Sequence, residues 1–340
     1  MKNKNMISEL LKTVNGGVYR ILFLVITVTV AENLNAQSVD VVVRDNGVER
    51  QESIDLPKSM TYPIDSLLND WKAKTYLQLG KDCNTSEENP YFSDSIYVDR
   101  LSRIPSVMEM PYNDVVRKFI DMYASRLREQ VSFMLSASNF YIPIFEEALD
   151  AYNLPLELKY LPVIESALNP SAVSRAGASG LWQFMIGTGK IYGLEVNSLV
   201  DERRDPIKAT WAAARYLKDL YEIYQDWNLV IAAYNCGPGN INKAIRRSGG
   251  KNDYWSIYNL LPKETRGYVP AFIAANYLMT YYCDHNICPM ETDIPANTDT
   301  VQVTKALHFE QIADICGISM EQIKSLNPQY RKNIIPGNIK

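Results

Sequence analysis

The stretch VIESALNPSAVSRAGASGLWQFM, from Val163 to Met185, joins an apolar helical segment to a run of small residues. Glu165 lies between Ile164 and a Ser-Ala-Leu run, and the next acidic residue along the chain is Glu195. Charges that serve only solubility are usually spread over one face of a helix. The sequence instead isolates one carboxyl group, and the segments on either side decide what can surround it.

Helical patterns extend on both sides of this stretch. Apolar residues recur every four positions from Phe119 to Leu135, and Asn113 is a suitable N-cap for that helix. Asp205 as N-cap and Pro206 at the first helical position predict the start of another helix. Because no strictly alternating strand pattern occurs between residues 111 and 282, we predict that this central part is all-α.

Two further segments complete the predicted helical unit. In AAYNCGPGNINKAI, a helix ends near Tyr234 and Asn235, Gly237-Pro238-Gly239 turns the chain, and a new helix begins. The segment ETRGYVPAFIAANYLMTYY, which starts at Glu264, predicts a long apolar helix that kinks or begins at Pro270.

The pattern changes after residue 290. DTVQVTKALHFEQIADICGISMEQIKSLNP predicts a short alternating strand, a helix from His308 to about Cys316, a glycine turn and a second helix from Met320 to Leu326. The chain stops at IPGNIK, where a closing strand is expected, so we predict a partial α/β module over residues 297–340. The predicted fold class is mainly α, with this small α/β module at the C-terminus.

The N-terminus has the features of an export signal. Four basic residues precede the apolar run ILFLVITVTV, namely Lys2, Lys4, Lys12 and Arg20. This run of ten residues is too short to span a bilayer, and the small-residue site LNA ends at Ala36. We predict a signal peptide over residues 1–36 and export to the periplasm, with an uncleaved membrane anchor as the alternative. Residues 37–105 then form a polar N-terminal extension without sustained periodicity.

Charge and aromatic content limit the classes of partner. The net charge of −4 over 340 residues provides no basic field, so we expect no nucleic-acid partner. The 22 tyrosines and five tryptophans supply flat rings that can stack on sugars, although most aromatic side chains fill cores. The aromatic content is therefore compatible with a carbohydrate ligand without requiring one.

The five cysteines are an odd number, so at least one is unpaired or bonds to another molecule. Cys283 and Cys288 are close enough in sequence for a local disulfide. With His285 between them they also resemble half of a metal cluster, but three candidate ligands on one short segment are a poor basis for structural zinc. We expect no metal and no cofactor.

Glu165 is the candidate acid. On its predicted helix it lies within one turn of Leu161, Ile164 and Leu168, so apolar surroundings would disfavour its ionised form and raise its pKa. A carboxyl group that stays protonated near neutral pH can donate a proton to a leaving oxygen. The alternative is a solvated surface glutamate, which is far more common on helices.

Two polar constellations accompany this acid. SRAGASGLWQFM is either a loop that caps the helix or backbone held close to a ligand, and spacing alone favours neither. Tyr234 and Asn235 either form a helix-turn-helix corner or supply stacking and hydrogen bonding in a sugar groove. Cys236 raises a rival hypothesis, a cysteine amidase or protease, but it would need His285, near a predicted helix end, or His308, in the C-terminal module.

Five separated motifs together resemble a known family: Glu165-Ser166, Ser174, GASGLWQFM, AAYNCGPGNI, and ETRGYV from Glu264 to Val269. Their order and spacing are similar to the soluble lytic transglycosylase domain, in particular to the membrane-bound lytic murein transglycosylase D type, which pairs it with C-terminal lysin-motif repeats. The resemblance covers roughly Arg100 to Met290 and implies a lysozyme-like, mainly helical catalytic domain over residues 106–290. The module at 297–340 resembles a truncated or divergent lysin motif.

The resemblance also implies a role for each matching residue. Glu165 would protonate the glycosidic oxygen between N-acetylmuramic acid and N-acetylglucosamine. It would then take the proton of the muramyl 6-hydroxyl, which attacks the anomeric carbon and forms a 1,6-anhydro end without consuming water. The implied substrate-binding residues are Ser174, Gln183, Met185, Tyr234, Asn235, Glu264 and Tyr268. Of these, Glu264 and Tyr268 would support the catalytic centre.

A single acid is chemically sufficient in one class of glycosidase. Most glycosidases use two carboxyl groups, but in substrate-assisted enzymes the acetamido group of the sugar replaces the second. The absence of Asp and Glu from Ser166 to Leu194 fits that scheme. Five acidic residues could still fold toward Glu165: Glu195, Asp201, Glu202, Asp205 and Asp226. We interpret VDERRDP as helix-start and salt-bridge chemistry.

The leading hypothesis is a peptidoglycan lytic transglycosylase that acts on glycan strands. A lysozyme-type hydrolase on the same fold is second, and a non-catalytic cell-wall-binding protein is third. The titratable Glu165 weakens the third, while the lack of an HExxH motif and the presence of only two histidines weaken a metal enzyme. We expect a monomer in the periplasm, and association with the outer membrane or the cell wall stays open.

Overall fold

The computed structural model describes residues 38–45, 48–62, 78–79, 88–291, 298 and 300–337. The predicted signal peptide, residues 1–36, lies outside these ranges. Within them, no helix combines the length and the apolar character needed to cross a membrane.

Helices dominate the described part of the chain. They are α1 (Asp94–Arg103), α2 (Asp114–Ala124), α3 (Arg128–Ala151), α4 (Leu161–Ser166), α5 (Ile186–Ile191), α6 (Pro206–Tyr224), α7 (Trp227–Cys236), α8 (Pro238–Arg247), α9 (Tyr254–Ile257), α10 (Lys263–Tyr281), α11 (Phe309–Cys316) and α12 (Met320–Leu326). Short strands pair as β1 (Ser38–Asp45) with β2 (Val48–Asp55), β3 (Gln78–Leu79) with β4 (Met290–Glu291), and β5 (Leu307–His308) with β6 (Ile334–Ile335). Residues 111–282 are fully described and contain no named strand, so the mainly α fold class is confirmed.

Local sequence signals correctly predict the starts of two helices. The Asn113 side chain accepts hydrogen bonds from two backbone amides in the first turn of α2, at 3.1 and 3.0 Å. Asp205 does the same for α6, at 3.0 and 2.9 Å, and Pro206 is the first residue of that helix. The apolar stripe from Phe119 to Leu135 is buried as predicted, but it spans two helices, because the chain breaks between α2 and α3.

Helix α10 is the central helix of the domain. It packs against α2, α4 and α7, and its residues from Thr265 to Met279 are buried except Arg266. It begins at Lys263, so the alternative start at Pro270 is wrong. Proline lacks the N–H that would bond the carbonyl four residues earlier, and Tyr254 Oη replaces it by donating to Arg266 O at 2.8 Å. The helix therefore continues through the proline.

Part of the polar N-terminal extension packs on the helical domain. We call residues Val48–Thr61 the N-terminal segment; its strand β2 packs against α10, and the 3-10 turn at its end packs against α4. Gly267 on α10 permits this approach, because a Cβ there would lie 2.7 Å from Ile54 Cγ2 and 2.8 Å from Asp55 O. The segment thus contacts two helices of the central unit.

The C-terminal module consists of β5, α11, α12 and β6. The two strands pair antiparallel, and both helices lie where the sequence predicts them, with His308 as the N-cap of α11. The strand predicted from DTVQVTKAL is wrong over most of its length, because the partner strand offers only Ile334–Ile335 and pairs with Leu307–His308 alone. The sequence predicts that the closing strand is missing, but Ile334–Ile335 forms a short strand there.

The predicted bridge between Cys283 and Cys288 is wrong. Cys288 is buried and disulfide-bonded, whereas Cys283 is an exposed free thiol. Between them, the buried ring of His285 hydrogen-bonds to Asn89 Oδ1 at 2.8 Å and to Tyr277 Oη at 3.1 Å. Desolvation and three nearby arginines lower its pKa to about 4. This histidine is a neutral core group with both ring nitrogens occupied by protein partners.

Candidate active site

One cavity brings the predicted site residues together. Its volume is about 370 Å³. The described lining includes all eight of them: Glu165, Ser174, Gln183, Met185, Tyr234, Asn235, Glu264 and Tyr268. They come from α4, the following loop, the end of α7 and the start of α10. The geometry agrees with the grouping implied by the motifs, while the role of each residue stays a prediction.

Glu165 lies in the last turn of α4, beside the buried Ser166. Ala167 and Leu168 have φ angles of 51° and 59°, so the helix ends here in the left-handed conformation. Ser166 Oγ donates a hydrogen bond to Leu181 O at 2.9 Å. That bond fastens the end of the helix to the loop that forms the next wall of the cavity.

A buried tyrosine holds the carboxyl group of Glu165. Tyr268 Oη donates a hydrogen bond to Glu165 Oε1. Desolvation raises the pKa of Glu165 to about 7; the hydrogen bond from Tyr268 lowers it, the charge of Glu264 raises it and the charge of Lys58 lowers it. Part of the Glu165 side chain stays accessible from the cavity. The site therefore contains a half-buried acid that is substantially protonated near neutral pH.

Arg203 fixes the loop from residue 172 to 185. Gly180 has a φ of +86°, and a Cβ there would lie 1.7 Å from Arg203 O, so only glycine fits where the two segments cross. Arg203 Nη1 donates to Gly177 O at 2.8 Å and to Phe184 O at 2.9 Å. One buried guanidinium group thus holds the loop at two points.

Two polar side chains of this loop reach the cavity. Ser174 Oγ accepts a hydrogen bond from Ala178 N at 3.0 Å. Gln183, with a φ of +47°, donates from Nε2 to Gly180 O at 2.8 Å and to Ala172 O at 3.2 Å. These bonds use the amide nitrogen of Gln183 and leave its Oε1 as an acceptor.

The end of α7 forms the opposite wall. Tyr234 Oη donates to Trp182 O at 2.8 Å, and desolvation raises the pKa of Tyr234 well above its ordinary value. Thr265 Oγ1 donates to Asn235 Oδ1 at 2.8 Å, which leaves the amide nitrogen of Asn235 as a donor. Gly237, with a φ of +82°, turns the chain directly into α8, as predicted.

The mouth of the cavity carries two opposite charges. Glu264 lies in the first turn of α10, and its Oε1 is 3.8 Å from Nζ of Lys58 in the N-terminal segment. Both side chains are about half exposed. Met185, 46% exposed, completes this rim at the start of α5. The sequence did not predict Lys58 as a site residue, because no local signal in the polar extension indicates that it lies at this cavity.

The other acidic candidates are used in helix caps, ion pairs and hydrogen bonds. These are Asp205 and Asp226 as N-caps, Asp201 and Glu202 in ion pairs, and Glu195 as a hydrogen-bond acceptor. They do not occur in the described cavity lining, and the interpretation of VDERRDP is confirmed. Glu264 is therefore the second carboxyl group there, although sequence distance isolates Glu165.

Cys236 also lines the cavity but has no histidine beside it in the described lining. His285 is buried in the core and His308 caps α11. Desolvation raises the pKa of the Cys236 thiol, which disfavours the nucleophilic thiolate. The arrangement does not support cysteine catalysis.

Comparison with known families defines the class. Residues 143–257 match the transglycosylase SLT domain, and residues 297–340 match the LysM-like domain of lytic transglycosylase MltD. The chain therefore carries an SLT transglycosylase domain followed by a LysM-like domain of the MltD type, in agreement with the lysozyme-like class expected from the motifs. Glu264, Tyr268 and the N-terminal segment lie outside the matched residues.

Individual relatives are named as lytic murein transglycosylases. The chain is 32% identical over 224 residues to the membrane-bound lytic murein transglycosylase D of Escherichia coli strain K12, which covers 65% of this chain and 49% of that protein. It is 33% identical over 124 residues to the soluble lytic murein transglycosylase of the same strain, over 35% and 19% of the two chains. The crystal structure of the soluble lytic transglycosylase SLT70 from Escherichia coli matches with a TM-score of 0.37 and 29% identity, over 43% of this chain and 25% of that one. The chain spans about half the length of the first of these relatives.

Proposed function

We propose that this chain is a peptidoglycan lytic transglycosylase, which cleaves the β-1,4 bond between N-acetylmuramic acid and N-acetylglucosamine without consuming water. The observation that carries the proposal is the carboxyl group of Glu165, whose pKa is raised to about 7 and which Tyr268 holds beside a polar cavity. A pKa near the working pH suits a group that must first give and then take a proton. The names of the relatives support the same activity.

In the first step Glu165 acts as the acid. Tyr268 occupies Oε1 of the carboxyl group, which leaves Oε2 to face the glycosidic oxygen. Proton transfer to that oxygen accompanies cleavage of the bond to the anomeric carbon, and the N-acetylglucosamine unit leaves with a free 4-hydroxyl group. Glu165 is now a carboxylate, which the hydrogen bond from Tyr268 stabilises.

In the second step Glu165 acts as the base. It accepts the proton of the muramyl 6-hydroxyl, whose oxygen attacks the anomeric carbon, displaces the acetamido oxygen bonded there and closes the 1,6-anhydro ring. The proton count then balances, because Glu165 ends protonated as it began. No water molecule enters the product.

The acetamido group of the muramyl unit takes the part of a second carboxylate. An acetamide presents one N–H donor and one carbonyl acceptor, so it needs one partner of each kind. Gln183 offers its free Oε1 acceptor, and Asn235 offers its free amide donor, within the same cavity. We assign these two residues to orienting the acetamido group for attack on the anomeric carbon.

Digestion of purified sacculi with mass analysis of the released sugars tests the proposal. Wild-type protein is expected to release 1,6-anhydro ends, and Glu165→Gln to lose at least about 1,000-fold in rate, because an amide cannot transfer the proton. Glu147→Gln is the matched control, since Glu147 is exposed on α3 away from the cavity. Equal activity in wild type and Glu165→Gln would refute the assignment of the acid.

Hydrolysis is the second candidate function, and Glu264 favours it. Hydrolases of the two-carboxylate type place a base or nucleophile across from the acid, and Glu264 is the other carboxyl group in the described lining. Hydrated ends, one water heavier than anhydro ends, would identify this chemistry. A loss in Glu264→Gln as large as that in Glu165→Gln would support it further.

We also propose that the substrate is the glycan strand of peptidoglycan and that the protein acts in the periplasm as a monomer. The predicted signal peptide supports export. The LysM-like domain supports attachment to glycan, and the relative named as membrane-bound supports a place in the cell envelope.

A further inference from the structure

The N-terminal segment places a cation on the catalytic cavity. Pro57 and Lys58 both belong to its lining, together with Glu165 and Glu264. Among the described residues of that lining, Lys58 is the one cation. The segment that carries it lies far outside the matched SLT residues, 143–257.

Contacts with α4 and α10 fix the position of this segment. Ser59 is buried, and its Oγ donates a hydrogen bond to the carbonyl oxygen of Ile164, the residue before the candidate acid. On α10, Glu52 forms an ion pair with Arg266 at 2.6 Å, and Gly267 leaves room for the strand. The backbone on each side of Lys58 is therefore held against the helices that carry Glu165 and Tyr268.

The ammonium group of Lys58 remains available to a ligand. Its distance of 3.8 Å from Glu264 and the half-exposed state of both side chains make this a weak ion pair. A lysine ammonium has three donors, and one distant carboxylate does not use them all. Without Lys58, the described lining would hold no cation, and the carboxylate of Glu264 would repel an anionic ligand.

We propose that Lys58 is a specificity-determining residue that binds a carboxylate of the glycan strand at the mouth of the cavity. This inference rests on the proposed function, because peptidoglycan supplies the carboxylate. The carboxylate has two sources: the lactyl group of peptide-free muramic acid and the acidic groups of the stem peptide. The proposal extends the binding site to the N-terminal segment, which the family motifs do not include.

Binding measured by calorimetry in the Glu165→Gln background tests this inference. Four strand preparations are compared: peptide-free strands, peptide-bearing strands, and each of these after carbodiimide coupling with methylamine, which neutralises the carboxylates. Lys58→Met removes one charge-assisted contact. It is therefore expected to raise Kd about fivefold to tenfold for the untreated strands that supply the carboxylate. Neutralised strands should bind the variant and its parent equally.

Two variants control this measurement. Lys58→Arg keeps the charge and should restore most of the affinity. Lys263→Met removes a neighbouring exposed lysine that is not in the described lining, and it should leave Kd unchanged. Loss confined to peptide-free or to peptide-bearing strands identifies the source of the carboxylate.

Two results would overturn the inference. One is an equal loss of affinity for untreated and neutralised strands, which would mean that Lys58 acts through the fold. The other is an unchanged Kd for every preparation. Product analysis of the wild type is separate: hydrated ends would refute the proposed function while the Kd series still reports on Lys58.

Discussion

The two regions that flank the helical domain contact it in different ways. The N-terminal segment packs on α4 and α10 and places Lys58 on the cavity. The C-terminal module packs on the chain before α6, where Asp201 N donates to Gln329 O and Arg331 N donates to Leu199 O, each at 2.8 Å. No described residue of this module occurs in the described cavity lining.

The C-terminal module reaches the site only through intermediate residues. Arg331 and Arg203 both form ion pairs with the buried Asp201, at 2.9 and 2.8 Å. Although desolvation raises the pKa of Asp201, the two guanidinium groups outweigh it and hold the pKa below its ordinary value. Arg203 then holds the loop that carries Ser174 and Gln183. Changes in the N-terminal segment should therefore act on substrate binding, and changes around Asp201 should act on stability and loop position.

The largest effect is expected from Arg203→Met. This change leaves the half-exposed Arg331 as the ion-pair partner of Asp201 among the described residues, and it removes both hydrogen bonds to the loop. Breaking a buried ion pair costs about 3–5 kcal/mol, so we expect a loss of this size in the free energy of unfolding, measured by urea denaturation. Arg103→Met is the control, because its ion pair with Asp99 is exposed and contributes little. An unchanged urea midpoint in Arg203→Met would mean that the buried Asp201–Arg203 pair does not stabilise the fold. It would contradict the indirect connection from the C-terminal module to the loop that carries Ser174 and Gln183.

A smaller effect is expected from Gly267→Ala, which tests the N-terminal side. The added Cβ would lie 2.7 Å from Ile54 Cγ2, so the segment must shift away from α10. We expect a loss of about 1–3 kcal/mol from overpacking, partly offset by the better helix propensity of alanine. Limited proteolysis should then cut within residues 48–61, and KM should rise because Lys58 moves.

Gly239→Ala is the matched control for that change, since nothing lies within 4 Å of a Cβ added there, on α8. It should be neutral or stabilising by up to about 1 kcal/mol. If Gly267→Ala behaves like Gly239→Ala, the N-terminal segment does not depend on its close approach to α10.

Local signals in the sequence were sufficient where neighbouring residues decide the structure. Asp205 and Pro206 set the start of α6 through bonds within one turn, and Ser319 and Asn327 flank α12 at the predicted bounds. The start of α10 was ambiguous, because the bond that compensates for Pro270 comes from Tyr254, on a different helix. Such a partner cannot be read from the segment itself.

The candidate site divides in the same way. Its eight predicted residues follow from motifs that resemble a family, and the cavity contains them all. Lys58 has no such signal, because its position depends on the contacts of Ser59 with α4 and of β2 with α10, more than 100 residues later in the chain. The expected disulfide between Cys283 and Cys288 was wrong for a related reason. The closeness of two cysteines in sequence does not determine which thiol is buried.

The smallest effect is expected in the pH dependence of kcat/KM, which separates the two flanking regions most directly. In the proposed mechanism the acid step requires protonated Glu165, so kcat/KM should fall as the pH rises above about 7. Desolvation sets this pKa, and the positive charge of Lys58 lowers it by favouring the ionised form. Removing that charge in Lys58→Met must then raise the pKa and move the alkaline limb to higher pH, by roughly a few tenths of a unit. Arg331→Met removes a charge of the same sign from the C-terminal module and should leave the limb where it is; a shift of equal size in both variants would mean that the two regions act on Glu165 in the same way.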